Sequence, residues 1–137
     1  GPDFNRLIQQ VQDLGLQERV HLPGFRADAK AFLGIADMAM HAALGEGFSL
    51  SIVEYMSAGL PVLVPDIPSV KQAIDHGDNG FVYEKDSVAS AASYVATLLS
   101  DDNRRQAMGQ SARAKANSQY SLDNCTQEFR RACQALF

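Results

Sequence analysis

The sequence has few of the residues that build disulfide frameworks, metal centres or membrane spans. Its 137 residues include two cysteines, three histidines and no tryptophan. Cys125 and Cys133 fall about 12 Å apart along one predicted helix, which is too far for a mutual disulfide. No cysteine and histidine spacing is typical of zinc, and no apolar run reaches the roughly 18 residues that a membrane span requires. These absences exclude disulfide-rich, zinc-dependent and membrane-spanning classes.

The chain also lacks a strong charge imbalance. Twelve basic and 16 acidic residues give a formal net charge of −4. Nucleic-acid-binding surfaces are usually basic, so we expect no nucleic-acid partner. Neither a signal peptide nor a transmembrane segment is evident, so the cytoplasm is the expected compartment, with peripheral attachment to the inner membrane face left open.

Apolar runs alternate with helical patterns along most of the chain. With 46% hydrophobic residues, the composition indicates one soluble domain, residues 1–137, that buries a core. The pattern predicts an α/β fold: a Rossmann-like parallel sheet of about four strands with helices on both faces, followed by C-terminal helices. The predicted strands cover residues 20–23, 36–43, 61–65 and 81–83. Ligands of such folds bind at the carboxyl ends of the strands.

Helices are predicted between and after these strands. Gly15 should end the first helix, Asp28 should cap the second, and Asp86 or Ser87 should cap the helix after the last strand. The predicted helices cover residues 4–14, 28–35, 49–58, 70–74, 88–99, 103–118 and 122–137.

The stretch from Gly45 to Val62 connects two predicted strands through a loop and a helix. Gly45 and Gly47 allow a sharp turn and a close approach to a ligand, and Ser49 is placed to cap a helix that ends at Gly59. The free N–H groups at the start of this helix, about residues 48–51, form a natural anion site. The stretch therefore predicts a phosphate or diphosphate site.

Two carboxylates bracket the start of the same helix. Glu46 lies on the loop that faces the expected ligand cleft, where it can accept hydrogen bonds from sugar hydroxyl groups. Glu54 lies more than a turn inside the helix, and a buried acid there would need a partner such as the vicinal hydroxyl groups of a ribose. Without a ligand, Glu46 would be a solvated loop residue and Glu54 would pair with a lysine or arginine.

Glu46, seven intervening residues, Glu54 and then Ser-Ala-Gly-Leu-Pro-Val at residues 57–62 form a pattern that resembles a known family. It is similar to the C-terminal, nucleotide-sugar-binding domain of GT-B fold retaining glycosyltransferases of the family 4 type. The resemblance implies that Glu46 contacts the donor sugar and supports the developing oxocarbenium charge, and that Glu54 binds the ribose. It assigns the diphosphate to the loop and helix start, namely Gly47, Phe48, Ser49 and Leu50.

The loop after the first predicted strand borders the nucleotide base in the resembled family. Phe25 and Arg26 are therefore candidates for base contact, although Phe25 as a core residue and Arg26 as a surface residue is an equal alternative. The resemblance also implies that no metal is needed.

The sequence departs from the family pattern at several places. The family's basic Arg and Lys pair for the diphosphate is absent, and Ser49 replaces a more common glycine. A Gly-Gly and a Pro-Glu pair appear here as Pro68-Ser69 and Lys71-Gln72, so Lys71 is either a partial substitute for the basic pair or a surface lysine. We expect a partial domain, N-terminally truncated, whose partner is the family's N-terminal acceptor domain.

The function that this resemblance implies is transfer of a hexosyl-type group from a UDP-, GDP- or ADP-linked sugar to a hydroxyl acceptor, with retention, in polysaccharide or glycoconjugate biosynthesis. The fragment alone is expected to be inactive. The alternative is a nucleotide-binding or interaction module of the same fold without transfer activity, and a sugar-nucleotide epimerase ranks last.

Overall fold

The computed structural model describes residues 2–43 and 47–134. Helices and strands alternate over most of these ranges, as the sequence pattern predicts. The helices are α1 (Phe4–Asp13), α2 (Ala29–Leu33), α3 (Leu50–Ser57), α4 (Pro68–Lys71), α5 (Val88–Ser100), α6 (Asp102–Gln119) and α7 (Leu122–Gln134). The strands are β1 (Ala39–Met40), β2 (Val62–Pro65) and β3 (Gly80–Tyr83).

The chain divides into two compact units, one up to Phe32 and one from Leu33 onward. In the first unit, α1 ends where the glycine predicts. Gly15 has φ +65°, a conformation that glycine adopts without strain, and its N–H donates to the Gln12 carbonyl. The single-domain interpretation of the sequence stays a prediction.

The sheet of the second unit is parallel and has the order β1-β2-β3. Central strand β2 is buried along its whole length, as is typical of a parallel strand with helices on both faces. Val62 and Val64 pack in one hydrophobic cluster with α3 and α6 side chains, while Leu63 packs in a second cluster with Leu98 of α5. The predicted α/β fold with helices on both faces of a parallel sheet is confirmed.

The prediction of a fourth strand at residues 20–23 is wrong within the described part of the chain. The Val20 N–H donates to the Leu16 carbonyl at 2.9 Å, so the backbone is still turning where the strand should begin. Strand β1 is also much shorter than the predicted residues 36–43. An apolar run becomes a strand only where a neighbour supplies ladder hydrogen bonds, and periodicity carries no information on that neighbour.

Helix α3 is fixed by an unusually close contact with α6. A Cβ atom added at Gly109 would lie 2.1 Å from the Gly59 carbonyl oxygen, so only glycine fits there. Gly59 itself has φ +80° and ends α3 as predicted. Arg113 of α6 donates from Nη2 to the Ala58 carbonyl at 2.7 Å. These contacts hold the C-terminal end of α3 against α6.

Candidate functional site

The segment that joins β1 to α3, residues 41–49, leaves the carboxyl end of β1, as the sequence predicts. We call it the site loop. Leu44, Gly45 and Glu46 lie outside the described residues. The assignment of Glu46 to the donor sugar, and to catalysis, therefore stays a prediction.

Ser49 occupies the N-cap position of α3. Its backbone is extended, with φ −87° and ψ 109°, so serine replaces the family's glycine here without strain. Its side chain is buried but makes no capping hydrogen bond, so that part of the prediction is wrong. Phe48 and Leu50 on either side are 45% and 73% exposed. Leu50, the first residue of α3, is therefore exposed, at the helix end where free N–H groups and the helix dipole favour an anion.

Gly47 does not play the turning role that its residue type predicts. Its φ lies outside the left-handed region, and a Cβ atom built there meets no atom within 4 Å. The remaining reason for a glycine is close approach of a ligand to the backbone. That reason stays a prediction.

Glu54 lies on α3, one turn after Leu50. The sequence predicts a buried acid at this position, but the structure shows that Glu54 is exposed. Burial therefore does not force a ribose onto this carboxylate. Exposure does leave it accessible to ligand hydroxyl groups, and the ribose assignment stays a prediction.

Two tyrosines that the sequence analysis missed contact the ends of the site loop. The Tyr83 hydroxyl, at the end of β3, donates to the His41 carbonyl at 3.2 Å. Burial raises the pKa of Tyr83 above its ordinary value, so the hydroxyl keeps its proton. The Tyr120 ring, at the C-terminal end of α6, lies 5.3 Å from the Phe48 ring centroid at 47°. The signals in the sequence are an aromatic residue that ends a predicted strand and another that ends a predicted helix.

A cavity of about 640 Å³ opens beside the carboxyl ends of the strands. Its walls are the exposed apolar face of α5 and the ends of all three strands, with Lys85, Asp86 and Ser87 on its polar side. The predicted donor residues that the structure describes are not among those that line it. Val88 and Leu99 lie on the α5 face that lines this cavity, and they are 83% and 63% exposed.

Lys71 follows the exit of β2 and forms an ion pair with Asp66. Both side chains are about half exposed, at 44% and 52%. The lysine charge is therefore engaged by a carboxylate of the same loop. This favours the surface-lysine interpretation over a substitute for the family's basic pair.

Phe25 and Arg26 belong to the first unit. Phe25 is 96% exposed, so the alternative that it is a core residue is wrong. Arg26 donates from Nε and Nη2 to the two carboxylate oxygens of Asp28, at 2.8 and 2.6 Å. The arginine hydrogen bonds lower the pKa of Asp28, and the same pairing raises the pKa of Arg26. The contact of Phe25 and Arg26 with a base stays a prediction.

The described residues, 2–43 and 47–134, contain no group of three or more histidine, cysteine or acidic side chains that could hold a metal ion. None of their helices is both long and apolar enough to cross a membrane.

Sequence comparison gives a family match over most of the chain. Residues 1–115 match the family model described as glycosyl transferases group 1. One relative is the N-acetyl-alpha-D-glucosaminyl L-malate synthase of Bacillus anthracis, which is 26% identical over 129 residues, covering 94% of this chain and 34% of the relative.

Comparison with solved structures gives similar matches. HepE from Anabaena in complex with UDP superimposes with a TM-score of 0.90 and 27% identity, covering 96% of this chain and 36% of HepE. HepE in complex with UDP-glucose gives a TM-score of 0.87 at the same identity and coverage. These structural neighbours are GT-B glycosyltransferases. The chain thus spans about a third of the length of these relatives.

Proposed function

Because the chain belongs to the group 1 glycosyl transferases, we propose that its second unit binds the diphosphate of a nucleotide sugar at the open N-terminal end of α3. The observation that carries the proposal is the start of that helix, which follows directly on the site loop and where Leu50 is exposed. A helix start presents free N–H groups and a partial positive charge to an anion. Gly47, Phe48, Ser49 and Leu50 supply the backbone for this contact.

In this proposal the other two candidate residues of the second unit bind the rest of the donor. Glu54, exposed on α3, accepts hydrogen bonds from the ribose, and Glu46 contacts the sugar. Phe25 and Arg26 of the first unit stay the candidates for contact with the base. The helix N–H groups stabilise the charge that develops on the leaving diphosphate, which is the largest contribution that this chain offers to transfer.

The proposed reaction is transfer of a hexosyl-type group, with retention, from the nucleotide sugar to a hydroxyl acceptor. HepE was solved with UDP and with UDP-glucose, and this likeness favours a uridine donor over GDP- or ADP-linked sugars. The proposal requires no metal and places the reaction in the cytoplasm. It also assigns the acceptor to a domain outside this chain, so the chain alone should bind the donor without transferring it.

The test is a titration of the chain with UDP, GDP, ADP and UDP-glucose, followed by calorimetry and by the NMR shifts of the backbone amides. UDP should bind and should move the amide signals of Phe48, Ser49 and Leu50 most. Glu54→Gln should weaken UDP about tenfold, since the loss of charge-assisted hydrogen bonds costs roughly 1.5 kcal/mol.

Glu128→Gln is the matched control, because Glu128 lies exposed on α7 in an ion pair with Arg131. It should leave UDP affinity unchanged. Failure of every nucleoside diphosphate to bind the folded chain would overturn the proposal, and so would UDP-induced shifts that spare the start of α3.

A further inference from the structure

We propose that Tyr83 and Tyr120 are positioning residues for the site loop, Tyr83 at its start and Tyr120 at its end. The structure shows the contacts of both tyrosines with the site loop. Their effect on nucleotide binding rests on the function proposed above. Neither side chain is assigned a contact with the substrate. Each acts through a residue of the loop, namely His41 or Phe48.

The role of Tyr83 follows from the hydrogen-bond pattern between β1 and β2. In a parallel pair, every second residue of one strand donates to its neighbour and accepts from the residue two positions further on. The Ala39 N–H donates to Pro61 at 3.0 Å and the His41 N–H donates to Leu63 at 2.8 Å. The next bond of the ladder would run from the N–H of residue 65 to the His41 carbonyl.

Residue 65 is a proline, which has no N–H. The ladder therefore cannot continue, and the His41 carbonyl loses its ordinary donor. Tyr83 pairs with Pro65 in the register of β2 and β3, and its hydroxyl reaches past β2 to donate to that carbonyl at 3.2 Å. The tyrosine thus supplies the hydrogen bond that the proline removes, at the point where the site loop begins.

Tyr120 fixes the other end of the loop through its ring. It is the C-cap residue of α6 and packs against the hydrophobic cluster that contains Ile52 and Met56 of α3. Its ring contacts Phe48, directly before the N-cap of α3. Helix α6 is held to α3 by the close contact between Gly59 and Gly109. The Tyr120 ring is therefore fixed relative to α3, and its contact fixes the position of Phe48.

The consequence is that His41 and Phe48 are held before a ligand arrives. Ordering such residues only on binding costs conformational entropy at that moment, so holding them beforehand lets the ligand bind more tightly. The two tyrosines should therefore affect UDP affinity without contacting UDP.

The decisive test combines Tyr83→Phe with Pro65→Ala. Tyr83→Phe removes the donor, and it should raise the amide exchange rate of His41, whose N–H donates to the Leu63 carbonyl at 2.8 Å, about fivefold or more in the ligand-free chain. Pro65→Ala restores a backbone N–H opposite the His41 carbonyl. In the double variant the exchange rate should return toward that of the unchanged chain, a rescue that simple loss of packing would not show.

Tyr94→Phe is the matched control for the loss of a phenol. Tyr94 stacks on Phe81 and contacts His76, so its change should leave the amide exchange rate of His41 unchanged. At the other end of the loop, Tyr120→Phe should be neutral because the ring remains. Tyr120→Leu should broaden or shift the Phe48 ring signals. All variants are compared by urea unfolding to show that they are folded.

UDP titration of the same variants separates this inference from the proposed function. Tyr83→Phe and Tyr120→Leu should each weaken UDP about threefold to tenfold, with rescue by Pro65→Ala only for the former. Unchanged exchange in Tyr83→Phe, or no rescue by Pro65→Ala, would overturn the role of Tyr83. Unchanged Phe48 signals in Tyr120→Leu would overturn the role of Tyr120. Absence of UDP binding in the unchanged chain would contradict only the proposed function.

Discussion

The two ends of the sheet differ in how their polar groups are used. Before β3, the buried Asn79 side chain accepts from the Asp75 N–H at 2.9 Å and donates to the Ala73 carbonyl at 3.2 Å. Lys115 of α6 pairs with Asp75, and Ser111 of α6 donates to Asp78, both at 2.6 Å. After β1, by contrast, Phe48 and Leu50 at the start of α3 are exposed. Polar groups at the amino end of β3 bind one another, and the carboxyl end of β1 is where we propose the ligand.

The contrast between these two regions separates polar residues that stabilise the fold from those that are proposed to bind a ligand. A carboxylate that is already bound to a lysine, as Asp75 is, cannot bind a ligand without breaking an existing contact. Helix N–H groups at an exposed first turn have no such competitor within the helix. Substitutions at the amino end of β3 should therefore change stability, and substitutions at the start of α3 should change ligand affinity.

The largest expected effect is on stability, from Gly80→Ala at the start of β3. A Cβ atom there would lie 2.1 Å from the Val62 carbonyl oxygen in the neighbouring strand. Neither backbone can move without breaking the ladder, so we expect a loss of about 3 kcal/mol in the free energy of unfolding. Urea denaturation measures it, and a loss below about 1 kcal/mol would contradict the tight contact.

Asn79→Ala should give the next largest effect. The Asn79 side chain is fully buried and joins the Asp75 N–H to the Ala73 carbonyl, and its removal leaves both backbone groups without this partner. We expect a loss of about 2 kcal/mol in stability. Asn103→Ala, at an exposed position on α6, is the control and should change stability by less than about 0.5 kcal/mol. Equal losses of stability in Asn79→Ala and Asn103→Ala would contradict the stabilising role of the buried Asn79 side chain.

The sequence predicted the layout of the second unit well because strong local signals agreed there. The apolar runs of β2 and β3, the glycine after α3 and the Ser87 cap of α5 all lie where predicted. The Ser87 hydroxyl accepts from the Ser90 N–H, as a capping serine should. The carboxyl-end position of the site loop followed from the same signals.

What the sequence could not give depended on contacts between distant residues. The predicted strand at residues 20–23 needed a neighbour that periodicity cannot supply. The position of Glu54 more than a turn inside the helix predicts a buried acid, yet Glu54 is exposed on α3. The bond from Tyr83 to His41 joins residues that are 42 positions apart, and it depends on a proline in a third segment. No local pattern contains that information.

Gly47→Ala is the counterpart of Gly80→Ala at the open end of the sheet. Gly47 has neither a positive φ nor a neighbour within 4 Å of an added Cβ, so stability should change by less than about 0.5 kcal/mol. If the diphosphate approaches the backbone closely, the added methyl group should weaken UDP about tenfold, or roughly 1.4 kcal/mol. The two measurements are urea unfolding and UDP titration of the same sample. A loss of stability with unchanged UDP affinity in Gly47→Ala would contradict both expectations for this position.

The smallest expected effect concerns pH and Tyr83. Burial raises the pKa of Tyr83 in the folded chain, whereas the unfolded chain has the ordinary tyrosine value of about 10. Between these two values the folded state holds a proton that the unfolded state has lost. This contribution to stability is therefore fully present below about pH 10 and falls as the pH rises through the folded pKa.

Unfolding free energies measured from pH 8 to about pH 11 should decline more steeply for the unchanged chain than for Tyr83→Phe. Since deprotonation also removes the donor to the His41 carbonyl, amide exchange at His41 should rise over the same pH range beyond the ordinary base-catalysed increase. Identical pH slopes for the two chains would show that the hydroxyl is not held by the fold, and would weaken the case that the start of the site loop is fixed before a ligand arrives.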